Sequence, residues 1–139
     1  MSAVEANKQV VRDFTRIFKN EHNVDGIDHL FAPNFAHHFT APVSPGLRGL
    51  KEIGRMMNTA FPDVVVTELD LIGTEDTVVE RSSAKANNSG PYLDRPPTGT
   101  PCQWSEIHIY RLRNGKITAH WAEVSMLELM TQIGAVRPA

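Results

Sequence analysis

Hydrophobic positions in the first sixty residues recur at the spacing of helices. Between residues 3 and 19 apolar side chains recur at helical spacing, at Val4, Val10, Val11, Phe14, Ile17 and Phe18. This spacing places them on one face, so we predict a helix over residues 3–19. A second, short helix is predicted over residues 24–31, ended by Pro33. A third is predicted over residues 50–59, and residues 35–40 form a brief strand or an extended loop.

From residue 64 onward the pattern changes to the alternation that is typical of strands. Residues 64–72 and 77–86 alternate in this way, and residues 89–101, with four prolines and two glycines, are predicted to be a loop. Two more strands flank Asn114-Gly115, the strongest short-range signal of a hairpin, and a short helix follows over residues 126–133. Helices followed by strands indicate one α+β domain over residues 1–139. We expect a cone-shaped barrel of curved, mostly antiparallel sheet, with the N-terminal helices packed on one face.

The strand before the Asn114-Gly115 turn carries an unusual set of side chains on one face. Trp104, Glu106, His108 and Tyr110 share that face, because side chains on a strand repeat with period two. A carboxylate, an imidazole, an indole and a phenol make poor core material. They would suit the lining of a pocket that binds an apolar, oxygen-rich molecule.

Which residues of the last strand face this pocket depends on how the hairpin closes. With a two-residue turn, Glu106 lies opposite Glu123 and His108 opposite Trp121. With a three-residue loop and a glycine bulge, His108 faces His120 and Glu106 faces Ala122. A slip of one residue moves the whole strand to the other face, so the alternation alone leaves both forms open.

Composition and charge narrow the class of protein. The chain has 139 residues, 41% hydrophobic and 22% charged, which allows one domain with a real core. The net charge of -2 and the lack of a basic run argue against a nucleic-acid partner. One cysteine, Cys102, excludes an internal disulfide and fits a reducing compartment. We see no signal peptide and no membrane-spanning run, so we expect a cytoplasmic protein without a membrane partner.

Several short motifs resemble those of the SnoaL-like polyketide cyclases, within the nuclear transport factor two-like superfamily. The resemblance covers most of the chain and is clearest at Ala60-Phe61-Pro62-Asp63, Pro96-Pro97-Thr98-Gly99, Asn114-Gly115-Lys116-Ile117, His120-Trp121 and Gln132-Ile133-Gly134. It implies a cone-shaped α+β barrel that needs no cofactor and is usually a homodimer or higher homo-oligomer. The best-studied members close a ring of an aromatic polyketide ester by intramolecular aldol chemistry.

The resemblance also suggests roles for individual residues. His37 matches a polar pocket residue after the second helix, His108 a histidine that faces the substrate, and Phe18 an aromatic late in the first helix. The family's acid/base is an aspartate two residues after a histidine on the last strand. Here that position is Ala122, after His120, so the usual carboxylate is missing from its expected place. The resemblance favours the bulged hairpin, since that form puts position 122 on the face of His108, and Glu106, His108 and His120 then share the cavity.

The chemistry of aldol closure requires a base beside a carbonyl, a donor for the enolate oxygen and an apolar cavity. We predict Glu106, His108 and His120 as catalytic, with Glu106 or His120 as the base and no metal. The predicted substrate-binding residues are Phe18, His37, Met57, Phe61, Trp104 and Tyr110. Structural roles are the alternative: a core histidine at His108, or Glu106 paired with an arginine such as Arg81. Hydrolase, isomerase and non-catalytic binding functions stay open on the same scaffold.

Overall fold

An open five-stranded mixed sheet with helices against it makes up the fold. The computed structural model describes residues 1–39 and 41–137. The helices are α1 (Ala3–Phe14), α2 (Gly46–Ala60) and α3 (Met126–Gln132), and the strands are β1 (Phe31–His38), β2 (Val65–Gly73), β3 (Thr77–Asn87), β4 (Pro101–Arg113) and β5 (Lys116–Val124). Their order in the sheet is β1-β5-β4-β3-β2. Among the strands of the described residues, β1 alone pairs in parallel, with β5, so the α+β prediction with a mostly antiparallel sheet is confirmed.

The first helix changes its winding near its end. α1 continues as a π-helix, Thr15–Asn20, in which the N–H of Glu21 bonds to the carbonyl of Arg16. The wider turn carries one extra residue, and such turns are often found at functional sites. Phe14 and Phe18 stack with ring centroids 4.9 Å apart, and Phe14 also packs edge-on against Tyr110 of β4, so this apolar side of the helix faces the sheet.

The predicted second helix is wrong. Residues 24–27 form turns, a short 3₁₀ helix occupies Asp28–Leu30, and Phe31 and Pro33 already belong to β1. Parallel pairing with β5 decides the conformation here, and Pro33 is tolerated because β1 is an edge strand. Of the segment predicted as a strand or loop, residues 35–38 are strand, and Thr40 lies outside the described residues.

The β4–β5 hairpin combines parts of both predicted forms. Asn114 and Gly115 have positive φ angles of 51° and 74°, and Arg113 pairs with Lys116, as a two-residue turn requires. The register then shifts between Arg111, which pairs with Ala119, and Leu112, which pairs with Ile117. This bulge at Thr118 brings the even-numbered residues of both strands to the same face.

The two predicted pairings of the hairpin are therefore both wrong in detail. His108 lies opposite Ala122, and Tyr110 lies opposite His120. His120 nevertheless lies on the face that the favoured, bulged form predicted. The bulge at Thr118 has the same effect on side-chain direction as a longer loop. Trp121 and Glu123 point to the other, exposed face.

Two clusters of buried side chains form the core, one at each end of the sheet. The first surrounds Phe14, Phe31 and Tyr110, and the second surrounds Phe61, Trp104 and Leu129. Within the described part of the chain, no helix has the length and apolar character to span a membrane.

Candidate active site

A cavity of about 370 Å³ lies between the helices and the covered face of the sheet. Its walls are mainly apolar and come from helices, strands and loops, including Phe14, Phe18, Leu50, Ile53, Met56, Met57, Val64, Val66, Tyr92 and Val124. Lys19, His37, Glu106, His108 and His120 also line it. The cavity therefore combines apolar walls with a group of ionisable side chains.

The structure places most of the predicted site residues around this cavity. Glu106, His108 and His120 converge, and Phe18, His37, Met57 and Trp104 contribute to the walls. Phe61 and Tyr110 are not among the lining residues. Both are fully buried behind the wall, Phe61 against the ring of Trp104 and Tyr110 against that of His120.

Three side chains form a hydrogen-bonded chain along the sheet. Nε2 of His120 lies 2.8 Å from Nδ1 of His108, and Nε2 of His108 lies 2.6 Å from Oε1 of Glu106. The other oxygen of Glu106 accepts a hydrogen bond of 2.7 Å from Nε1 of Trp104. Even-numbered positions on β4 and β5 bring these groups to one face.

The short contact to Glu106 determines where the protons lie. Nε2 of His108 lies 2.6 Å from Oε1 of Glu106 and 3.1 Å from Nζ of Lys19, which can only donate. The shorter contact is that of a charge-assisted hydrogen bond to a carboxylate, so Nε2 carries the proton and donates it to Glu106, and Lys19 makes a charge contact without a hydrogen bond to this nitrogen. Nδ1 of a neutral His108 is then an acceptor, and Nε2–H of His120 donates to it. By this inference from the hydrogen-bond network, Nδ1 of His120 is left with a lone pair. No described residue bonds to that atom.

A buried lysine and a second buried carboxylate complete the charged group. Nζ of Lys19 lies 3.5 Å from Oε1 of Glu106 and 3.9 Å from Oε1 of Glu80. Thr15 donates a 2.9 Å hydrogen bond to the other oxygen of Glu80, whose side chain is 0% exposed. Two carboxylates thus share one ammonium group away from bulk water.

The pKa of Glu106 is held well below its ordinary value. Burial alone raises the pKa of this carboxyl, but the charge of Lys19 and the hydrogen bonds from His108 and Trp104 outweigh burial. Glu106 is therefore ionised at neutral pH, with both oxygens occupied by donors. A carboxylate in this state is a weak base and a good partner for an imidazole N–H.

The histidines of the cavity have lowered pKa values. Burial lowers the pKa of His120 well below its ordinary range, and the neighbouring His108, Lys19 and His37 add to the effect. Burial and then Lys19 lower the pKa of His108, although Glu106 acts in the opposite direction. Burial, followed by His38, lowers the pKa of His37. The lowered pKa values favour the neutral form of all three rings at pH 7.

His37 and His38 point to opposite sides of β1, as the alternation predicts. The ring of His37 stacks on that of His120, with centroids 5.6 Å apart, and neither of its nitrogens has a partner among the described residues. His38 stacks on Trp121 on the other face, at 4.7 Å. Of the two, only His37 therefore lines the cavity, with both of its nitrogens buried and without a partner among the described residues.

Sequence reasoning missed Lys19 and Glu80 and misjudged the partner of Glu106. Arg81 bonds to Asp70 at 2.7 Å rather than to Glu106, which pairs with Lys19. A signal for Glu80 was present, because it alternates with Val78 and Ser82 on the inward face of β3. Within residues 1–39 and 41–137, no three His, Cys, Asp or Glu side chains are grouped so as to hold a metal ion.

Comparisons with known proteins agree with this architecture. TsrD from Streptomyces laurentii is 27% identical, with a TM-score of 0.85 over 95% of this chain and 97% of its own. IdmH from Streptomyces antibioticus is 25% identical, with a TM-score of 0.79 over 92% and 98% of the two chains. A SnoaL-like polyketide cyclase from Agrobacterium tumefaciens, 18% identical over 92% and 98%, shares the fold with a TM-score of 0.75.

The family assignment rests on the sequence as a whole. No curated protein sequence matches the chain significantly. The sequence model of the family SnoaL-like polyketide cyclase, however, matches residues 8–133, which is nearly the entire domain. This chain therefore belongs to the family of SnoaL-like polyketide cyclases.

Proposed function

We propose that the protein is a small, cofactor-independent enzyme that closes a ring in a hydrophobic carbonyl or ester substrate by intramolecular aldol chemistry. The observation that carries this proposal is the unpartnered Nδ1 of His120, a buried atom of a ring that lines an apolar cavity. The other nitrogen of the same ring is bonded through His108 to an ionised Glu106. A neutral imidazole held in one tautomer keeps a lone pair at neutral pH, which general-base catalysis requires.

In the proposed reaction, Nδ1 of His120 removes a proton from the carbon beside a substrate carbonyl. The resulting enolate attacks a second carbonyl carbon of the same molecule and forms a carbon–carbon bond. His120 then returns the proton to the new alkoxide, so substrate and product have the same atoms and no oxidant is needed. His37, stacked on His120, would donate a hydrogen bond to the enolate oxygen.

Glu106 and His108 act as positioning residues in this proposal. Their hydrogen bonds fix the ring of His120 and stabilise the positive charge that it gains on protonation. We assign the base to His120 rather than Glu106 because both Glu106 oxygens are occupied by donors. The apolar walls, among them Phe18, would fold the substrate and exclude water.

One observation favours a second function, a non-catalytic small-molecule-binding module. Ala122 lines the cavity opposite His108, at the position where the resemblance expects an acid/base aspartate. A chain that has lost that carboxylate would still offer the cavity to an aromatic ligand. Hydrolysis or isomerisation would instead use the same base, His120, on water or on a shifted proton.

A paired binding and turnover experiment separates these functions. Aromatic polyketide esters with a free methylene beside a carbonyl are incubated with the wild type, His120→Gln and His38→Gln. We expect a cyclised product of unchanged mass with the wild type and His38→Gln, and none with His120→Gln. Binding of the same esters, followed by calorimetry, with no product in any sample would support the binding module.

We also propose that the protein acts in the cytoplasm as a homodimer or larger homo-oligomer. The exposed face of the sheet supports assembly, since Ile107, Ile109 and Trp121 lie there with 45%, 36% and 38% of their surfaces exposed. Light scattering coupled to size exclusion tests this directly. The protein is measured at a concentration of about 10⁻⁴ M, at which weak dimers form. A single species with the monomer mass of 15.5 kDa would overturn the proposed assembly.

A further inference from the structure

Lys19 lies at the centre of the charged group without being part of the proposed proton path. Its side chain is 13% exposed, and its ammonium nitrogen lies 3.1 Å from Nε2 of His108. The same nitrogen is 3.5 Å from Glu106 and 3.9 Å from Glu80. It therefore contacts the middle of the chain that leads to His120.

The π-helix explains how a lysine reaches this depth. Phe18 and Lys19 are neighbours in sequence, yet both line the cavity. The wider π turn brings adjacent side chains to the same side more readily than an α-helical turn would. Glu80, held by Thr15 from the same π-helix, faces Lys19 from β3.

The protonation of His108 depends on the charges that face it from every side. Lys19 on the helix opposes a second proton on this ring, whereas Glu106 on β4 and Glu80 on β3 favour one. From β5, His120 offers only a neutral ring. Without Lys19, two buried carboxylates would face His108 with no cation between them, and the ring would take up a proton to balance them.

A second proton on His108 would reverse the hydrogen bond to His120. Both ring nitrogens of an imidazolium are donors, so Nδ1–H of His108 would donate to Nε2 of His120. The proton of a neutral His120 would then have to sit on Nδ1. That nitrogen would become a donor and could no longer accept a proton.

We propose that Lys19 is a positioning residue that keeps His108 neutral and thereby maintains the His120 tautomer whose Nδ1 is free to accept a proton. The inference rests on the proposed function for its catalytic meaning, because it assigns a role to the same site. The tautomers themselves can be observed without substrate.

The test is nitrogen-15 NMR of the histidine rings at pH 7. Two-bond proton–nitrogen correlations distinguish Nε2–H, Nδ1–H and doubly protonated rings. For the wild type we expect neutral His108 and His120, each with its proton on Nε2. For Lys19→Met and Lys19→Gln we expect a doubly protonated His108 and a His120 with its proton on Nδ1. Lys19→Arg, which keeps the charge, should retain the wild-type pattern.

Two further variants separate charge from packing. Lys8→Met makes the same substitution on α1, away from the cavity, and should leave both rings unchanged. Glu80→Gln removes a negative charge from the same buried group, so it should keep His108 neutral. If the role of Lys19 were only to fill space, Lys19→Met and Glu80→Gln would disturb the rings alike.

Three results would overturn the inference. These are a doubly protonated His108 in the wild type, unchanged tautomers in the folded lysine variants, and the same change in Glu80→Gln as in Lys19→Met. The wild-type spectrum decides the first of these even if the variants do not fold. Absence of turnover by the wild type, together with the expected spectra, would refute the proposed enzyme and leave the role of Lys19 in setting the tautomers standing.

Discussion

Nε2 of His120 and Nδ1 of His108 lie 2.8 Å apart, in rings that are within 7° of parallel. The two residues are not directly opposite on the hairpin, since His108 pairs with Ala122 and His120 with Tyr110. They meet diagonally because the bulge at Thr118 sets the register. The bulge thus brings His120, a residue that lines the cavity, into the hydrogen-bonded chain that ends at the ionised Glu106.

His37 gives a test of binding without loss of stability. We expect His37→Phe to weaken binding of an aromatic ester by about tenfold, or 1.4 kcal/mol, because a donor to the ligand is lost. Stability should be unchanged or higher, since neither nitrogen of His37 has a partner among the described residues. Calorimetry and urea unfolding measure the two effects. His38→Phe, on the exposed face, is the control and should bind normally.

Glu106 should contribute to stability as well as to the site. Glu106→Gln leaves Lys19 with only the more distant Glu80, so we expect the free energy of unfolding to fall by about 3 kcal/mol. Arg81→Ala, on the neighbouring strand, breaks the exposed pair with Asp70 and should cost less than about 1 kcal/mol. Urea denaturation of both variants measures the two losses of stability. Equal losses would contradict a larger contribution from the buried pair of Glu106 and Lys19.

Acid should destabilise the protein in a range where histidines titrate. The pKa values of His37, His108 and His120 are lowered on folding, so the unfolded chain binds more protons below its histidine pKa of about 6.5. The contribution of the neutral histidines to the free energy of unfolding is fully present above about pH 6.5. It is lost as the pH falls towards the folded pKa values, at up to about 1.4 kcal/mol per pH unit for each histidine.

The lowered pKa of Glu106 extends the loss of stability to lower pH. Its contribution is present above the unfolded value of about 4.3 and declines as the pH falls through the lower folded value. Urea unfolding between about pH 4 and 8 measures the loss due to the histidines, and extending the series down to about pH 2 follows the loss due to Glu106. His37→Phe should reduce the slope below pH 6.5. A protein that became more stable on acidification would contradict the assignment of neutral, buried rings.

Gly54 controls the shape of the cavity. A Cβ atom at this position of α2 would lie 2.3 Å from Cζ of Phe18. Gly54→Ala must therefore displace the phenyl ring, at a cost of about 1–3 kcal/mol, and should weaken ligand binding. Arg48→Ala, at an exposed site on the same helix, should change stability by less than about 0.5 kcal/mol. Unaltered binding by a folded Gly54→Ala protein would place the ligand elsewhere.

The sequence predicted the elements best where the pattern was local and regular. Strands 64–72 and 77–86 lie within a residue of β2 and β3, because alternation and turn residues agree there. The helix over residues 24–31 failed because pairing of Phe31 with Ile117, far away in sequence, outweighs local helical spacing. No local signal marks Thr118 as a bulge, so neither predicted pairing of the hairpin was right.

Part of the candidate site could be predicted from the sequence for the same reasons. Alternation placed Glu106 and His108 on one face, and the resemblance indicated that His120 would join them. Lys19 was overlooked because it ends an apparently ordinary helix, where a lysine is usually solvated. Its burial depends on the π turn and on two carboxylates from different strands, which one-dimensional spacing does not encode.

Exchange of a substrate proton for deuterium tests the central claim, that His120 is the base, most directly. The protein is incubated in D₂O with a bound aromatic ketoester that cannot cyclise, and deuterium at the carbon beside the carbonyl is followed by NMR. We expect catalysed exchange by the wild type and His38→Gln, and a rate lower by about 10²–10⁴ in His120→Gln with similar affinity. Exchange by His120→Gln at the wild-type rate would contradict the account.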